Sequence, residues 1–268
     1  MAFTRRYDEA EPQRVNRWLA QSGVCSRREA EALIAEGRIS IDGQTVTDPG
    51  RKIAFGQTLT LDDELGAKAR FSAVIHKPVG VVSAQPDPGQ VPAVRLITPE
   101  AQWGGPPTPI PDLEGGLAPL GRLDMDSHGL LLLSQDGVLA KAVIGPESLL
   151  DKEYEVRVNG AIDQGKLTLL RHGLELDGRK LKPAKVRRTG DHELNIVLTE
   201  GRNRQIRRMC DLVGLKVIDL LRVRIGPLAL GDLPESRWRP LTTEERDALI
   251  AGSDARLTGR TGQASRTD

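Results

Sequence analysis

The chain has 268 residues and a formal net charge of +1, so a nucleic-acid partner would have to be bound by local basic patches. Hydrophobic residues make up 38% and charged residues 28%, which is typical of a soluble globular protein with one large or two modest domains. No run reaches the roughly 18 apolar residues of a membrane helix, the first residues lack a signal-peptide core, and Cys25 and Cys210 lack metal spacing. We therefore expect a cytoplasmic protein with reduced thiols and no membrane partner.

The first sixty residues predict a small module of two helices and a hairpin. Residues 1–13 are polar, and we expect a flexible tail there. "RVNRWLAQSG" has helical spacing, and "SRREAEALIAEGR" predicts a second helix in which Ser26 is the N-cap and Glu29 completes a capping box. Asp42-Gly43 in "RISIDGQTVTDPG" indicates a hairpin, and "QTLTL" a further strand. The charged stretch "DDELGAKAR" then predicts a linker.

Five arginines against three glutamates give this module a local charge of +2. Solvated helix faces would account for that charge as well as a binding surface would. Arginines at a helix N-terminus also direct donors and the positive end of the helix dipole toward phosphates. The five residues are Arg14, Arg17, Arg27, Arg28 and Arg38.

The second region, from near Phe71, mixes strands and helices. "FSAVIHKPVGVVSA" predicts two strands around a Lys77-Pro78-x-Gly80 turn, "VPAVRLI" a short helix, and the proline-rich residues 104–116 a surface loop. Further helices are predicted in "DGVLAKAVIG", "IDQGKLTLLRHGLEL" and "RNRQIRRMCDLVG", with strands in "KEYEVRVNG" and in the segments around them. Because no strand–helix unit repeats, the predicted fold class is α+β.

Two aspartates precede four leucines in "GRLDMDSHGLLLLSQDG", residues 121–137. Four consecutive leucines indicate a strand buried on both faces. A carboxylate at its mouth would be costly to leave unpaired, so Asp124 or Asp126 needs a cation. Residues 200–224 supply seven basic residues against three acidic ones, and arginine is the better partner because it stays charged and offers paired donors. An ion pair that only ties two elements together would explain the same pattern.

Three motifs follow one another along the second region: "GRLDMDSHGLLLLSQDG", "KEYEV" and "EGRNRQIRRM", with "HKPVGVVSA", "RVRIGPLAL" and "WRPLTTEE" around them. In this order they resemble the RsuA/RluB/RluE/RluF family of ribosomal-RNA pseudouridine synthases. "VNRWLAQSGVCSRREAEALIAEGRISIDGQTV" resembles an S4-type (alpha-L) RNA-binding module. The resemblance implies an S4-type domain at 14–62 and a catalytic domain at 71–250, built on a mostly antiparallel sheet with flanking helices and a central cleft. Tails at 1–13 and 251–268 are expected to be flexible.

The resemblance also implies an activity and a set of site residues. Family members isomerise a uridine within RNA to pseudouridine, without a cofactor or a metal. Asp124 falls on the catalytic aspartate, acting as nucleophile or base, Tyr154 on the tyrosine that packs against the base, and Arg207 on the basic residue paired with the carboxylate. Arg122 would fill the stack left by the flipped base. The expected RNA contacts are Arg122, Arg202, Asn203, Arg204, Gln205 and Arg208, with the five module arginines. Arg204 and Arg208 are expected to point toward RNA or solvent.

Other interpretations stay open for several residues. As a pair, Asp124 and Asp126 could bind a divalent metal, although Asp126 and Ser127 are more readily explained as holding a turn. His128 is expected to be an exposed turn residue. The remaining histidines show no ligand spacing; they are His76, His172 and His192.

The target is the least determined part of the prediction. The motifs favour 23S rRNA and the large-subunit RluF type, with a 16S rRNA enzyme as the alternative. A non-catalytic RNA-binding factor in ribosome assembly is the alternative from another class. The expected partner is ribosomal RNA or an assembly intermediate, and the expected state is a monomer.

Overall fold

The computed structural model describes residues 3–22, 24–25, 27–62, 70–111 and 117–253. These residues divide into two compact units. The first contains the described residues up to Phe71 together with Gln135–Lys141, and the second contains Ser72–Ser134 and the described residues from Ala142 onward. None of the described helices is long and apolar enough to cross a membrane. Cys25 and Cys210 are both free and buried.

Helices and strands are mixed along both units. The helices are α1 Val15–Gln21, α2 Arg27–Ala35, α3 Gly137–Ile144, α4 Gln164–Arg171, α5 Gln205–Leu212 and α6 Thr243–Ser253. The strands up to residue 71 are β1 Phe3–Arg6, β2 Gln13–Arg14, β3 Ile39–Ile41, β4 Gln44–Thr45, β5 Lys52–Ile53 and β6 Thr58–Leu61. The later strands are β7 Ser72–Lys77, β8 Ala118–Pro119, β9 His128–Ser134, β10 Lys152–Asn159, β11 Glu175–Leu176, β12 Arg179–Lys180, β13 Lys185–Gly190, β14 Glu193–Leu198, β15 Lys216–Ile225, β16 Leu228–Ala229 and β17 Trp238–Pro240.

The first unit contains both predicted helices and the predicted hairpin. Four of its described strands form a sheet in the order β1-β6-β3-β4, and β2 pairs with β5 in a separate two-stranded sheet. Asp42 and Gly43 have φ values of 50° and 79°, so both turn residues adopt the left-handed conformation that a two-residue hairpin of this kind requires. The predicted N-cap Ser26 and the linker residues 63–69 lie outside the described residues.

The expectation of a flexible tail over residues 1–13 is wrong for the part that the structure describes. β1 pairs antiparallel with β6, and Tyr7 is fully buried, with its ring packed edge-on against Trp18 at a centroid distance of 5.5 Å. Its hydroxyl donates to the carbonyl oxygen of Glu11. The polar composition of this segment did not reveal that the burial of one aromatic side chain, that of Tyr7, orders it. In the C-terminal tail, residues 251–253 belong to α6, and 254–268 lie outside the described residues.

The second unit is built on one large mixed sheet, as the α+β prediction requires. Its described strands follow the order β13-β14-β10-β15-β9-β7-β17, with β16 added to β15 and β8 to β9. The pairs are antiparallel except for β9 and β15, which run parallel. The four leucines of β9 are fully buried, which confirms the predicted buried strand. The predicted strand after the turn at Gly80 is wrong, because that segment forms only an isolated bridge between Val82 and Pro92.

A bulge between β10 and β15 determines which arginines face the interior. Glu153 pairs with Arg224, but the next residue, Tyr154, pairs with Arg222, so Val223 is the extra residue. Side chains alternate along a regular strand, so residues 222 and 224 would otherwise share one face. The extra residue sends Arg222 to the face of Tyr154, where it is buried, and Arg224 to the other face, where it binds Glu153.

The parallel contact between β9 and β15 depends on a glycine. Gly129 is in register with Arg222 and has a φ of +108°, which only glycine adopts readily. A Cβ at Gly129 would lie 2.7 Å from the backbone nitrogen of Arg222 and closer still to its carbonyl oxygen. Any side chain at residue 129 would therefore separate the two strands.

We expect Gly129→Ala to lower the free energy of unfolding by about 1–3 kcal/mol more than Gly173→Ala, because only the first adds a backbone clash to an unfavourable φ. Gly173 is a matched control: its φ is +122°, and a Cβ added there would lie 4.0 Å from the Leu169 side chain. Denaturant unfolding of the two variants measures the difference. Equal losses would show that the close approach of β9 and β15 does not limit stability.

Candidate active site

A cavity of about 670 Å³ opens in the second unit beside the loop that carries the two aspartates. Its lining combines two carboxylates, those of Asp124 and Glu200, with one aromatic ring and several cations. The residues that matter below are Arg122, Asp124, Lys152, Tyr154, Arg204 and Arg222. The sequence interpretation predicted a central cleft of this kind, and Asp124 and Tyr154 both line it.

The loop before β9 is fixed at both ends by the Arg222 guanidinium. Nε of Arg222 donates to the carbonyl oxygen of Leu130 at 2.8 Å, and Nη1 donates to that of Arg122 at 3.2 Å. Ser83 holds the same loop from another side, because its hydroxyl donates to the Leu123 carbonyl at 2.7 Å and accepts from the Leu123 amide at 2.9 Å. The backbone on either side of Asp124 is therefore fixed, while its side chain faces the cavity.

The predicted pairing of Arg207 with Asp124 is wrong. Among the described residues, the guanidinium within 4.0 Å of Asp124 is that of Arg204, whose Nη1 lies 3.6 Å from Oδ2. Arg204 binds Asp126 through two parallel hydrogen bonds of 3.0 and 2.8 Å. Arg207 also lies at Asp126, with its Nε 3.3 Å from Oδ2 but not aligned for a hydrogen bond, and its Nη2 donates to the Asp126 carbonyl at 2.6 Å.

The backbone at Arg204 explains the difference. Arg204 precedes α5 with a φ of +48°, a left-handed conformation that sequence patterns do not reveal in an arginine. This conformation directs Arg204 toward the aspartates. The expectation that Arg204 points toward RNA or solvent is therefore wrong. Hydrogen bonds from Arg204, supported by the charge of Arg207, hold the pKa of Asp126 below its usual range. Both oxygens of Asp126 are thus engaged by arginine, which argues against a metal bound between the two aspartates.

Tyr154 lies on β10 next to the bulge. Its side chain is half-buried, packs against the core of the second unit and lines the cavity. An aromatic ring supported from behind by a rigid core offers a flat, pre-ordered face to a planar ligand. This position is consistent with the expected packing against a base.

Sequence reasoning missed two cations in the cavity lining. Arg222 is only 2% exposed, and its Nη2 is buried with no hydrogen-bond partner among the described residues. Lys152 also lines the cavity, and burial, followed by repulsion from Arg222, lowers its pKa. An unpaired buried donor is costly, so Nη2 of Arg222 is a group available to a ligand. The sequence signal for Arg222 was weak, because the motif "RVR" does not show which of its two arginines faces the interior.

The structure separates the predicted RNA contacts into two groups. Arg202 donates to the carbonyl oxygens of Leu176 and Lys180 at 3.0 and 2.8 Å, and the buried Gln205 accepts from the Arg202 amide at 2.9 Å. Arg208 binds Asp177 with two hydrogen bonds of 3.0 and 2.6 Å. These three side chains have partners within the protein. Arg122 and Asn203 are exposed at the cavity and remain predicted contacts.

In the first unit, Arg14, Arg17 and Arg27 are exposed on or beside α1 and α2. Arg38 is half-buried and donates to the carbonyl oxygen of Asp62 at 3.3 Å. The Arg28 side chain lies outside what the structure describes. Three of the five predicted module arginines therefore remain free to meet a phosphate backbone.

The expectation that His128 is an exposed turn residue is wrong. His128 is the first residue of β9, its side chain is 17% exposed, and its ring lies against that of His76. His172 and His192 are exposed.

The comparisons with known proteins agree with this arrangement. The family model for RNA pseudouridylate synthase matches residues 72–212, and the S4 domain model matches residues 13–59. A crystal structure of a pseudouridylate synthase superposes with a TM-score of 0.62 at 27% identity, covering 88% of this chain and 99% of that one.

Curated relatives include enzymes named for both ribosomal subunits. The chain is 37% identical over 238 residues to ribosomal small subunit pseudouridine synthase A of Pseudomonas aeruginosa, covering 87% of this chain and 98% of the relative. It is 32% identical over 250 residues to ribosomal large subunit pseudouridine synthase B of Bacillus subtilis, covering 90% and 97%. It is 31% identical over 236 residues to the dual-specificity RNA pseudouridine synthase RluF of Escherichia coli, covering 87% and 76%.

The fold and the matched models define an RNA pseudouridine synthase with an N-terminal S4 domain. The chain belongs to the RsuA/RluB/RluF family of these isomerases.

A buried lysine beneath the site generates a prediction on pH. Lys77 is fully buried and donates to the carbonyl oxygens of Pro78 and Val81 at 2.9 and 2.7 Å. Burial lowers its pKa to about 8, although the charge of Asp124 opposes this. Between pH 8 and the ordinary lysine value of about 10.4, the unfolded chain binds more protons at this residue than the folded chain does. This difference makes the folded state gain stability as the pH rises.

We therefore expect the stability of the wild type, relative to that of Lys77→Met, to rise from pH 8 to 10.5 by up to about 1.4 kcal/mol per pH unit. The exposed Lys185→Met is the control and should leave the slope unchanged. Denaturant unfolding across this range measures both. Parallel curves for the wild type and Lys77→Met would show that the lysine keeps its ordinary proton affinity in the folded protein.

Proposed function

We propose that this chain converts one uridine of ribosomal RNA to pseudouridine in the cavity described above, with Asp124 as the reacting group. The observation that carries the proposal is the unequal pairing of the two aspartates. Asp126 is bound by two arginines, whereas Asp124 is 29% exposed and has one loose ion pair of 3.6 Å. A carboxylate that attacks a sugar or removes its proton needs an oxygen that short hydrogen bonds do not occupy. Asp124 meets this condition among the described residues.

The reaction conserves every atom of the nucleotide. The N-glycosidic bond between N1 and C1′ breaks, the uracil turns, and its carbon 5 bonds to C1′. Carbon 5 then loses its proton and N1 takes one up, so the balance needs neither an oxidant nor a co-substrate. Asp124 acts on the nucleotide, while Tyr154 packs on the uracil. A stacked uridine leaves its helix first, and Arg122 fills the vacated space. The buried Nη2 of Arg222 donates to the uracil or to charge that develops on it.

The domain boundaries predicted from the sequence belong to the same proposal. Residues 14–62 form the RNA-binding domain, and residues 71–250 the catalytic domain. Arg14, Arg17 and Arg27 of the first contact phosphates, because their side chains are exposed and have no hydrogen-bond partner among the described residues. The protein acts as a cytoplasmic monomer on free ribosomal RNA or on an assembly intermediate.

The target is a uridine of 23S rRNA, as the motifs "GRLDMDSHG" and "KEYEV" favour. The 16S alternative is supported by the 37% identity to a small-subunit enzyme, against 31–32% for the RluF and B-type relatives above. A non-catalytic assembly factor is disfavoured because Asp124 and Tyr154 are both present and both line the cavity.

We expect Asp124→Asn to lower turnover at least about 10³-fold, because an amide of equal volume cannot supply the reacting oxygen. Asp126→Asn should keep measurable turnover and lose about 1 kcal/mol of stability, because Arg204 and Arg207 lose their partner. The substrate is ribosomal RNA from a strain that lacks this protein, and mapped pseudouridines are the measurement.

The same map decides between the targets. One uridine restored in 23S rRNA by the wild type and not by Asp124→Asn supports the proposal in full. Restoration in 16S rRNA alone replaces the target and keeps the chemistry. An inactive Asp126→Asn beside an active Asp124→Asn, both folded, would reverse the roles of the two aspartates.

We expect the triple variant Arg14→Ala, Arg17→Ala, Arg27→Ala to bind ribosomal RNA more weakly, with a flatter salt dependence. Each lost phosphate contact should reduce the slope of log K against log salt by about 0.7–0.9. The control is Arg157→Ala with Arg187→Ala, two exposed arginines on the sheet face opposite Tyr154. A slope that the triple variant leaves unchanged would show that these arginines do not touch the RNA backbone.

A further inference from the structure

Two of the four histidines of the chain meet on the sheet face opposite the cavity. In the pairing of β7 with β9, Lys77 is in register with Gly129, and His76 with Leu130. Gly129 shares its face with Arg222, which lines the cavity. Because side chains alternate along a strand, His76 and His128 share the other face. Their ring centroids are 5.9 Å apart, and the ring planes differ by 18°.

Hydrogen bonds determine which nitrogen of each ring carries a proton. Nδ1 of His76 lies 2.8 Å from the carbonyl oxygen of Leu233, and a carbonyl oxygen only accepts, so Nδ1 is protonated. Nε2 of His128 lies 3.1 Å from Oδ1 of Asp219, so that nitrogen is protonated as well. In the neutral rings, the lone pairs are therefore on Nε2 of His76 and Nδ1 of His128.

These two nitrogens have no partner. Both are buried, and neither has a hydrogen bond within the described part of the chain. One ligand atom from each histidine and one carboxylate oxygen of Glu235 lie within 4.8 Å of one another. Two buried lone pairs beside a carboxylate leave an electronegative gap, which a cation, a water molecule or a shared proton would compensate.

We propose that His76, His128 and Glu235 form a binding site for a divalent transition-type cation, for which Zn²⁺ is the probe. Two imidazoles and one carboxylate are a donor set typical of zinc with an open position. The partners of the outer ring nitrogens, a backbone carbonyl and the Asp219 carboxylate, are those that orient metal-binding histidines. Zn–N bonds of about 2.0–2.1 Å need ligand atoms about 3.3 Å apart. The three side chains, whose ligand atoms lie within 4.8 Å of one another, would therefore draw together around the ion.

The position of the site determines what the metal would do. His76 is on β7, His128 on β9, and Glu235 in the turn that leads into β17. A bound ion would join three consecutive strands of the sheet from the face that takes no part in the reaction. Glu235 is exposed, so the ion enters from solvent. The metal thus has a structural role: it binds selectively to the folded state and thereby stabilises that state.

The test uses the full-length chain without a histidine tag, freed of metal by a chelator. Zn²⁺ is titrated against a competing indicator, and Co²⁺ is added separately for its visible spectrum. We expect one Zn²⁺ per chain, a Co²⁺ spectrum typical of low coordination number, no binding of Mg²⁺ at equal concentration, and a higher melting temperature with Zn²⁺.

Two double variants are compared. The test variant combines His76→Gln with His128→Gln. The control combines His172→Gln with His192→Gln and removes the two exposed histidines. The first pair should abolish the stoichiometric binding and the Zn²⁺-dependent rise in melting temperature, and the control should keep both. Asp219→Asn should weaken affinity about 10–100-fold, because it removes the negative charge of the outer partner of His128 and leaves the ligand atoms in place. Glu235→Gln, at an exposed residue, should weaken affinity at least about tenfold without disturbing the fold.

Three results would overturn the proposal. They are no stoichiometric Zn²⁺ on the wild type, binding that the His76/His128 pair leaves intact, and binding that the His172/His192 control removes. If the paired variant does not fold, Glu235→Gln and Asp219→Asn decide, and unchanged affinity in both refutes the site. An absence of binding together with a proton shared between the rings, seen by NMR, would identify the gap as a histidine–histidine hydrogen bond instead.

Discussion

The buried guanidinium of Arg222 holds the loop that carries Asp124. Burying a charge in a sheet is costly, and the cost is offset only where hydrogen bonds replace water. Arg222 donates to the carbonyl oxygens of Arg122 and Leu130, which stand at the two ends of the loop that carries Asp124. The register of Arg222 with Gly129 brings β9 and β15 close enough for these bonds to form. The position of Asp124 thus depends on an arginine in a strand almost a hundred residues further along the chain.

Two arginines and the two aspartates of that loop form unequal ion pairs. Arg204 donates from both of its outer nitrogens to the Asp126 carboxylate. Arg207 lies beside the same carboxylate and donates from Nη2 to the Asp126 carbonyl oxygen. Asp124 receives the field of this cluster without a short hydrogen bond from it. An oxygen of Asp124 is therefore not held by a fixed donor among the described residues. In this arrangement Asp126 serves as the anchor, which a sequence containing two similar aspartates does not disclose.

The sequence carried most of the local structure because its signals were strong and short-ranged. The leucines of β9, the Asp42-Gly43 hairpin and the helix before Gly214 are each determined by periodicity or turn chemistry within about ten residues. The errors share the opposite property. The bulge at Val223, the left-handed Arg204 and the burial of Tyr7 depend on partners distant in the chain or on backbone conformations that the residue type does not favour. Family resemblance located Asp124 and Tyr154, but it assigned the carboxylate to the wrong arginine.

The alternation of side chains along a strand places two different chemistries back to back in one sheet. At β7 it separates His76 from Lys77, and at β9 it separates His128 from Gly129. At β15 a regular strand would have placed Arg222 and Arg224 together, and the bulge separates these two as well. The face of the sheet at the cavity therefore carries several cations beside the carboxylate of Asp124, whereas the other face carries two histidines with unpaired lone pairs. Because a sheet is only one backbone thick, a metal on the second face would stiffen the strands that position Asp124 without contacting the RNA.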